Sequence, residues 1–334
     1  MLAEYSCSES NNSSLRISNF VIMNKRIAIL IPYFGKWPDW IDLYFYSCAH
    51  NTGIDWFFFT DCKIPEYKSA NLHFQSYAFL DYCKYVSDRL GIDFKPQNPY
   101  KLCALKPFYG FLHSELIKEF DFWGFGDVDV VWGDILSFYT PDLLDKYDVF
   151  STHADRLSGH LSLFLNTHYY THLCFKIKDW QPKLKSDQMI ALDEQEFTWL
   201  LYPQVRYISK FYSKVIRKIF NWRDAWVLYY KITPIFNFVC RIKSKRLYFK
   251  EQHTTPILYP DGLSFRHDSE TWFYKNGKVI NKKNSAEYIY LHFMIYKKNG
   301  FRKDYCWEQN YYRLAETYDF SNGVCISKSG FEAL

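Results

Sequence analysis

The 334-residue sequence has no run of the roughly eighteen apolar residues that a bilayer-spanning helix requires. Its first 22 residues are rich in Ser and Asn and lack the apolar centre of a secretory signal, so they read as a disordered leader, with folded chain starting near Met23. The nine cysteines include no CxxC pair and no finger-like Cys/His spacing. That distribution excludes a zinc finger and a dense disulfide framework, and a reducing cytoplasm is the expected setting. A formal net charge of +5 is small for this length, so the chain as a whole does not read as a nucleic-acid binder. There is no internal repeat.

What the chain has in abundance is aromatic rings: 30 Phe, 29 Tyr and 11 Trp make up 21% of the residues. Rings in that number suit a packed interior and also stacking surfaces for sugars or bases. The apolar run Arg26 to Pro32 predicts a strand buried on both faces of a parallel sheet. Helical spacing from Trp37 to Asn51 and a second run, Asp55 to Thr60, continue a β-α-β order. A third strand is expected at Leu72 to Gln75, and helices at Phe79 to Leu90 and Tyr100 to Ile117. Strands follow at Tyr147 to Thr152 and Leu161 to Asn166, then helices at Thr167 to Ile177 and Asp187 to Leu201. Late in the chain, Asn276-Gly277 marks a tight hairpin between Thr271 and Ile280, and Tyr288 to Phe293 reads as a further strand. Alternation of this kind favours a doubly wound α/β sheet with ligands at its carboxyl edge.

One apolar run ends in chemistry. Phe122-Trp123-Gly124-Phe125-Gly126 is followed by Asp127-Val128-Asp129 and then by a helix-like segment, Gly133 to Leu136. On an extended chain alternate side chains share a face, so both acids can point into the cleft beyond the strand and meet a divalent cation and a nucleotide diphosphate there. Asp also simply favours strand ends and turns, so the spacing gains meaning only with partners.

Composition changes between residues 204 and 250. Arg206, Lys210, Lys214, Arg217, Lys218, Arg223, Lys231, Arg241, Lys243, Lys245, Arg246 and Lys250 alternate with aromatic and β-branched residues, and Asp224 is the sole acid. Such a helical insertion can lie in the headgroup layer of an anionic membrane, placing the protein peripherally on the inner face. The competing reading is a solvated helical hairpin, and no nucleic-acid-binding motif accompanies the charge.

Taken in order, the Pro32-Tyr33-Phe34-Gly35 strand exit, Phe58-Phe59-Thr60-Asp61, Gly126-Asp127-Val128-Asp129, the strand from His160 to Asn166, Asp193-Glu194, and Leu291-His292-Phe293 before Lys297-Lys298 resemble nucleotide-sugar glycosyltransferases of the GT-A type. The similarity is to family eight and related bacterial polysaccharide and lipopolysaccharide enzymes. It implies a GT-A-like (Rossmann-like) α/β fold with a mixed, mainly parallel sheet, formed by 23–203 and 251–300 around the insertion, with 301–334 as a C-terminal extension. It also implies that Asp127, Asp129 and His292 hold Mn²⁺ or Mg²⁺ on a UDP-sugar diphosphate, with Lys297 or Lys298 near the phosphates. The late segment His292-Phe293-Met294-Ile295-Tyr296-Lys297-Lys298 departs from the family by lacking its Gly and Pro-Trp. A hard cation held by carboxylates and one imidazole can absorb the charge that grows on a diphosphate leaving group.

For the acceptor side, Asp193 and Glu194 are the first candidate catalytic carboxylates and Asp155 the next; a solvated helix start is the plain alternative for the acidic pair. Pro32, Tyr33, Asp61, His160 and Asn166 are expected to bind the donor, and Tyr33, Trp123 and Trp132 are possible stacking rings as well as core residues. The expected partners are a nucleotide-sugar donor and a glycan or lipid-linked saccharide acceptor. A nucleotidyl- or phosphosugar transferase, or a silent carbohydrate-binding protein of the same fold, are the alternatives.

Overall fold

The computed structural model describes residues 25–66, 68–203, 217–219, 246–252, 271–294, 296 and 307–334. Strands β1 (Ile27–Pro32), β2 (Ile54–Thr60), β3 (Leu72–Ser76) and β4 (Phe122–Gly126) run parallel in the spatial order β3-β2-β1-β4. β5 (Val130–Trp132) follows β4 but leaves this sheet. β6 (Val149–Ser151), β7 (Leu161–Leu165) and β8 (Leu247–Phe249) complete the seven strands in the order β4-β7-β6-β8. Only β7 runs against the rest, so the sheet is mixed and mainly parallel.

The continuous apolar runs form central strands because both faces are covered. Ile27, Ile29, Ile31, Trp56 and Phe58 pack with helix α1 (Ile41–His50) on one side. Ala28, Leu30, Phe57, Phe59, Trp123 and Phe125 pack with α2 (Phe79–Leu90) and the segment Pro99–Phe108 on the other. Period-two alternation thus feeds two cores. Trp123 and Trp132 are fully buried, which assigns both to packing rather than to ligand stacking.

Several elements differ from expectation. α1 begins four residues late, because Trp37 and Trp40 are tied by their indole N–H groups to the carbonyls of Lys63 (2.9 Å) and Val128 (2.8 Å) and hold 33–40 as a loop. The stretch 100–117 is not one helix. It is a ten-residue 3₁₀ helix, Pro99–Phe108, followed by single turns Tyr109–Leu112 and Ser114–Ile117. Pro107 lacks the N–H that would continue a ladder. Of 187–201 only a wide π turn, Asp193–Phe197, and Thr198–Leu201 are helical, while Trp180–Lys185 is a helix ahead of them.

A second, antiparallel sheet covers the α1 side. It contains β9 (Trp272–Lys275), β10 (Lys278–Asn281), β11 (Glu287–Tyr288), β13 (Val324–Ser327) and β14 (Gly330–Ala333), in the order β11-β10-β9-β13-β14. Asn276 and Gly277 both have positive φ, as the hairpin requires. Residues 324–333, within the expected C-terminal extension, pair as strands of this sheet. The expected strand 288–293 is divided: β11 pairs with β10, whereas β12 (Tyr290–His292) pairs antiparallel with β5. The last residues of the basic stretch also belong to the fold, since β8 is the edge of the main sheet and Arg246 binds Asp148, which accepts from Tyr170 as well. Residues 1–22, most of 204–245, Lys297 and Lys298 lie outside the described residues.

Candidate active site

Because β1, β2 and β4 are parallel, their carboxyl ends, Pro32, Thr60 and Gly126, open on one edge of the sheet. Among the described residues, a cavity of about 820 Å³ lies there. Its walls include Pro32, Tyr33, Trp40, Lys106, Asp127, Asp129, Asp193 and Glu194.

Asp127 and Asp129 line the same cavity but do not join one ligand set. β4 ends at Gly126, so strand alternation stops before the acids and the two side chains take different partners. Asp129 meets His292, with Oδ2 and Nε2 3.3 Å apart and both residues buried. The β5–β12 register places His292 opposite Val130, and the Phe293 N–H donates to the Asp129 carbonyl at 2.8 Å. Trp40 fixes the peptide between the two acids through its bond to the Val128 carbonyl.

Asp127 instead accepts from the Lys106 ammonium at 2.6 Å. Lys106 is buried; it also donates to the Gly159 carbonyl at 2.9 Å and lies 3.9 Å from Asp193 Oδ2. Burial alone would push the Lys106 ammonium down, but Asp127 and Asp193 prevail and hold it above the ordinary lysine range. Burial pushes Asp193 up to about 6 against the pull of Lys106, with Glu194 adding to the rise. Gly159 packs closely against this cluster: a Cβ there would lie 3.2 Å from Asp193, 3.3 Å from Glu194 and 3.4 Å from Lys106.

The remaining predicted residues divide clearly. Pro32 and Tyr33 line the cavity, and the Tyr33 ring stacks on Trp37 at 4.8 Å and 15°. Asp61 is not a wall residue; it accepts from the Gly35 N–H at 2.7 Å and so fixes the loop after β1, where Gly35 has φ +107°. His160 lies behind His292, ring centres 4.5 Å apart, with Nε2 3.2 Å from Thr152 Oγ1. Burial and the neighbouring His292 and His153 push His160 well below its usual range, so its imidazole is neutral. Asp155 is not among the cavity's wall residues; it pairs with Arg156 at 3.0 Å, and Arg156 in turn lies 3.7 Å from Glu194.

Asn166 is a correction. β7 is antiparallel to β4, so the residue after its end lies beside Asp121, at the amino end of β4 and away from the cavity. There its amide donates to the carbonyls of Ile117 (2.7 Å) and Phe120 (2.9 Å), closing the turn before β4.

Sequence reasoning missed Lys106. The available signal was a lone lysine in the otherwise apolar Leu102-Cys103-Ala104-Leu105-Lys106-Pro107-Phe108, since a buried ammonium requires a counter-charge. Among the described residues no three His, Cys, Asp or Glu side chains form a metal-holding group. Among the described residues, Asp129 and His292 are the carboxylate and imidazole that meet at the cavity. That pair fits a hard ion whose other positions are filled by phosphate oxygens.

Residues 29–320 match the profile of a family described as "Family of unknown function (DUF6625)". A comparison with curated proteins finds no match. Among solved structures, the apo form of mouse xyloside xylosyltransferase 1 is similar at 9% identity and a TM-score of 0.28, over 54% of this chain and 82% of that one.

Proposed function

The chain belongs to the DUF6625 family, whose function is unknown, and we propose that it is a glycosyltransferase of GT-A type. In this reading it moves a sugar from a nucleotide-diphosphate donor, with UDP as the expected nucleotide, to a hydroxyl of a cell-surface glycan or lipid-linked saccharide. The observation that carries the reading is the contact of Asp129 with His292 beside the Lys106–Asp127–Asp193 cluster, all at the carboxyl edge of a mainly parallel sheet.

Asp129 and His292 would hold Mn²⁺ or Mg²⁺, which when bound supplies positive charge to the diphosphate. The chain's own residues account for the rest. Tyr33 offers a ring to the base, and the Pro32–Gly35 loop, fixed by Asp61, shapes the nucleotide end. Lys106 fixes Asp127 by its hydrogen bond, and it brings a buried positive charge to the place where leaving-group charge develops. Asp193, ionised at neutral pH with an affinity near 6, is placed to accept the acceptor hydroxyl proton, with Glu194 beside it.

Thermal shifts with nucleotide sugars and Mn²⁺ test the reading directly. Manganese-dependent stabilisation by UDP is expected in the wild-type chain and is expected to disappear in Asp129→Ala and His292→Ala, with transfer abolished. Release of nucleoside diphosphate identifies glycosyl transfer, whereas pyrophosphate would assign a nucleotidyltransferase. Full turnover by Asp129→Ala would remove the cation role.

A further inference from the structure

The cavity has two facing walls, and their periodicities carry it outward from the charged floor. One wall is the 3₁₀ helix Pro99–Phe108 and the residue after it. Such helices have three residues per turn and seldom run beyond three or four residues. Here ten residues keep the pattern, so every third side chain faces the cavity: Tyr100, Cys103, Lys106 and then Tyr109. At about 2 Å rise per residue, Tyr100 stands about 12 Å above Lys106. The opposite wall alternates: Met189, Ala191 and Asp193 face the cavity, while Leu192 is buried in the core.

The two walls meet twice. At the floor, Lys106 faces Asp193 at 3.9 Å. Near the mouth, the buried Lys101 ammonium crosses between them and donates to the carbonyls of Lys183 (3.0 Å) and Gln188 (2.5 Å). This ties the residue after Tyr100 to the residue before Met189. Between the two ties the cavity is lined by the small side chains of Cys103 and Ala191, and burial holds the Cys103 thiol up to about 11, so that part of the wall is uncharged at neutral pH. At the mouth, Tyr100 is 66% exposed and Met189 44% exposed, although both are apolar and line the cavity. The Asn98 side chain accepts from the Tyr100 N–H at 2.8 Å and fixes the backbone beneath the ring.

We propose that Tyr100 and Met189 form a saccharide-binding subsite for the acceptor, from which a hydroxyl reaches Asp193 along the slot between Cys103 and Ala191. A pyranose has an apolar C–H face and a polar rim, which matches an aromatic ring on a fixed stretch of backbone and a polarizable thioether above a hydrogen-bonding floor. A wall already fixed by Lys101 and Asn98 loses little freedom when the ligand is seated. The assignment rests on the transferase reading, and its test keeps the two separable.

Saturation-transfer NMR on the full chain, with lactose, cellobiose and chitobiose as probes, reads the subsite. UDP-induced thermal stabilisation with Mn²⁺ reads the donor end. Tyr100→Ala and Met189→Ala are each expected to weaken saccharide binding about tenfold, Tyr100→Phe to retain it, and Ala191→Trp, which fills the slot, to abolish it, with UDP stabilisation kept in all four. Saccharide binding unchanged in Tyr100→Ala and Ala191→Trp would overturn the assignment, as would a wild-type chain that binds none of the three sugars. Loss of UDP stabilisation in the wild type would instead strike the donor reading.

Discussion

The pairing of Lys106 with two carboxylates sets the electrostatics of the site one residue at a time. A buried ammonium with two acceptors is costly to break, because removing it leaves Asp127 and Asp193 facing each other without a counter-charge. Lys106→Met is expected to lower stability by about 3–5 kcal/mol in denaturant titration. Asp193 gives a pH signature. Its affinity is raised to about 6, so the folded chain binds the proton more tightly than the unfolded chain does. Stability contributed by this group is therefore present at low pH and falls as pH rises from the ordinary carboxylate range through about 6. A base must be ionised, so turnover is expected to rise across the same interval and then level off. The pH profile of turnover measures this, and Asp193→Asn is expected to cost about 10²- to 10⁴-fold in rate. Lys106 was hard to read in sequence because one lysine in an apolar run resembles a snorkelling surface residue; its partners come from positions 21 and 87 residues away.

At the scale of elements, β5 and β12 bring Asp129 and His292 together. Gly133 follows β5, and its N–H donates to the Ile289 carbonyl at 2.9 Å. A Cβ at Gly133 would lie 2.2 Å from the Tyr288 carbonyl oxygen, which is backbone and cannot swing aside. Gly133→Ala is expected to shift β12, lower stability by about 1–3 kcal/mol and weaken manganese-dependent UDP binding, measured by thermal shift with and without metal. Much of this level was readable. Strands β1, β2 and β4 show as unbroken apolar runs because both faces are covered, and α2 matches its expected limits, closed by Gly91 at φ 64°. Strand direction was not readable: nothing local distinguishes the antiparallel β7 from its parallel neighbours, and Asn166 was therefore placed at the wrong end. Nor does a short run of 288–293 announce that its two halves join different sheets.

For the whole molecule, the α/β class and the carboxyl-edge location of the cleft were legible from alternation alone, since a parallel sheet leaves its ligands few other places. The joining of residues 324–333 to β9 was not, because that pairing is set by packing against α1 rather than by a turn signal. No helix among the described residues is long and apolar enough to cross a membrane. Surface attachment through the basic stretch remains the proposed route to lipid-linked acceptors. Neutralising Arg217, Lys218, Arg241 and Lys245 is expected to weaken binding to phosphatidylserine vesicles by about 1 kcal/mol per charge at low salt, read by co-sedimentation. Unchanged sedimentation would dismiss that route.

The partnership of β5 with β12 also fixes an order of assembly. Nearly half the chain separates Asp129 from His292, while β1 to β4 can pair as soon as they are made. A nascent chain therefore carries the acidic motif long before it carries the imidazole. On the proposed cation role, competence arrives only once β12 has been made, and a chain truncated ahead of β12 would keep its main sheet yet lack the imidazole of the Asp129–His292 pair.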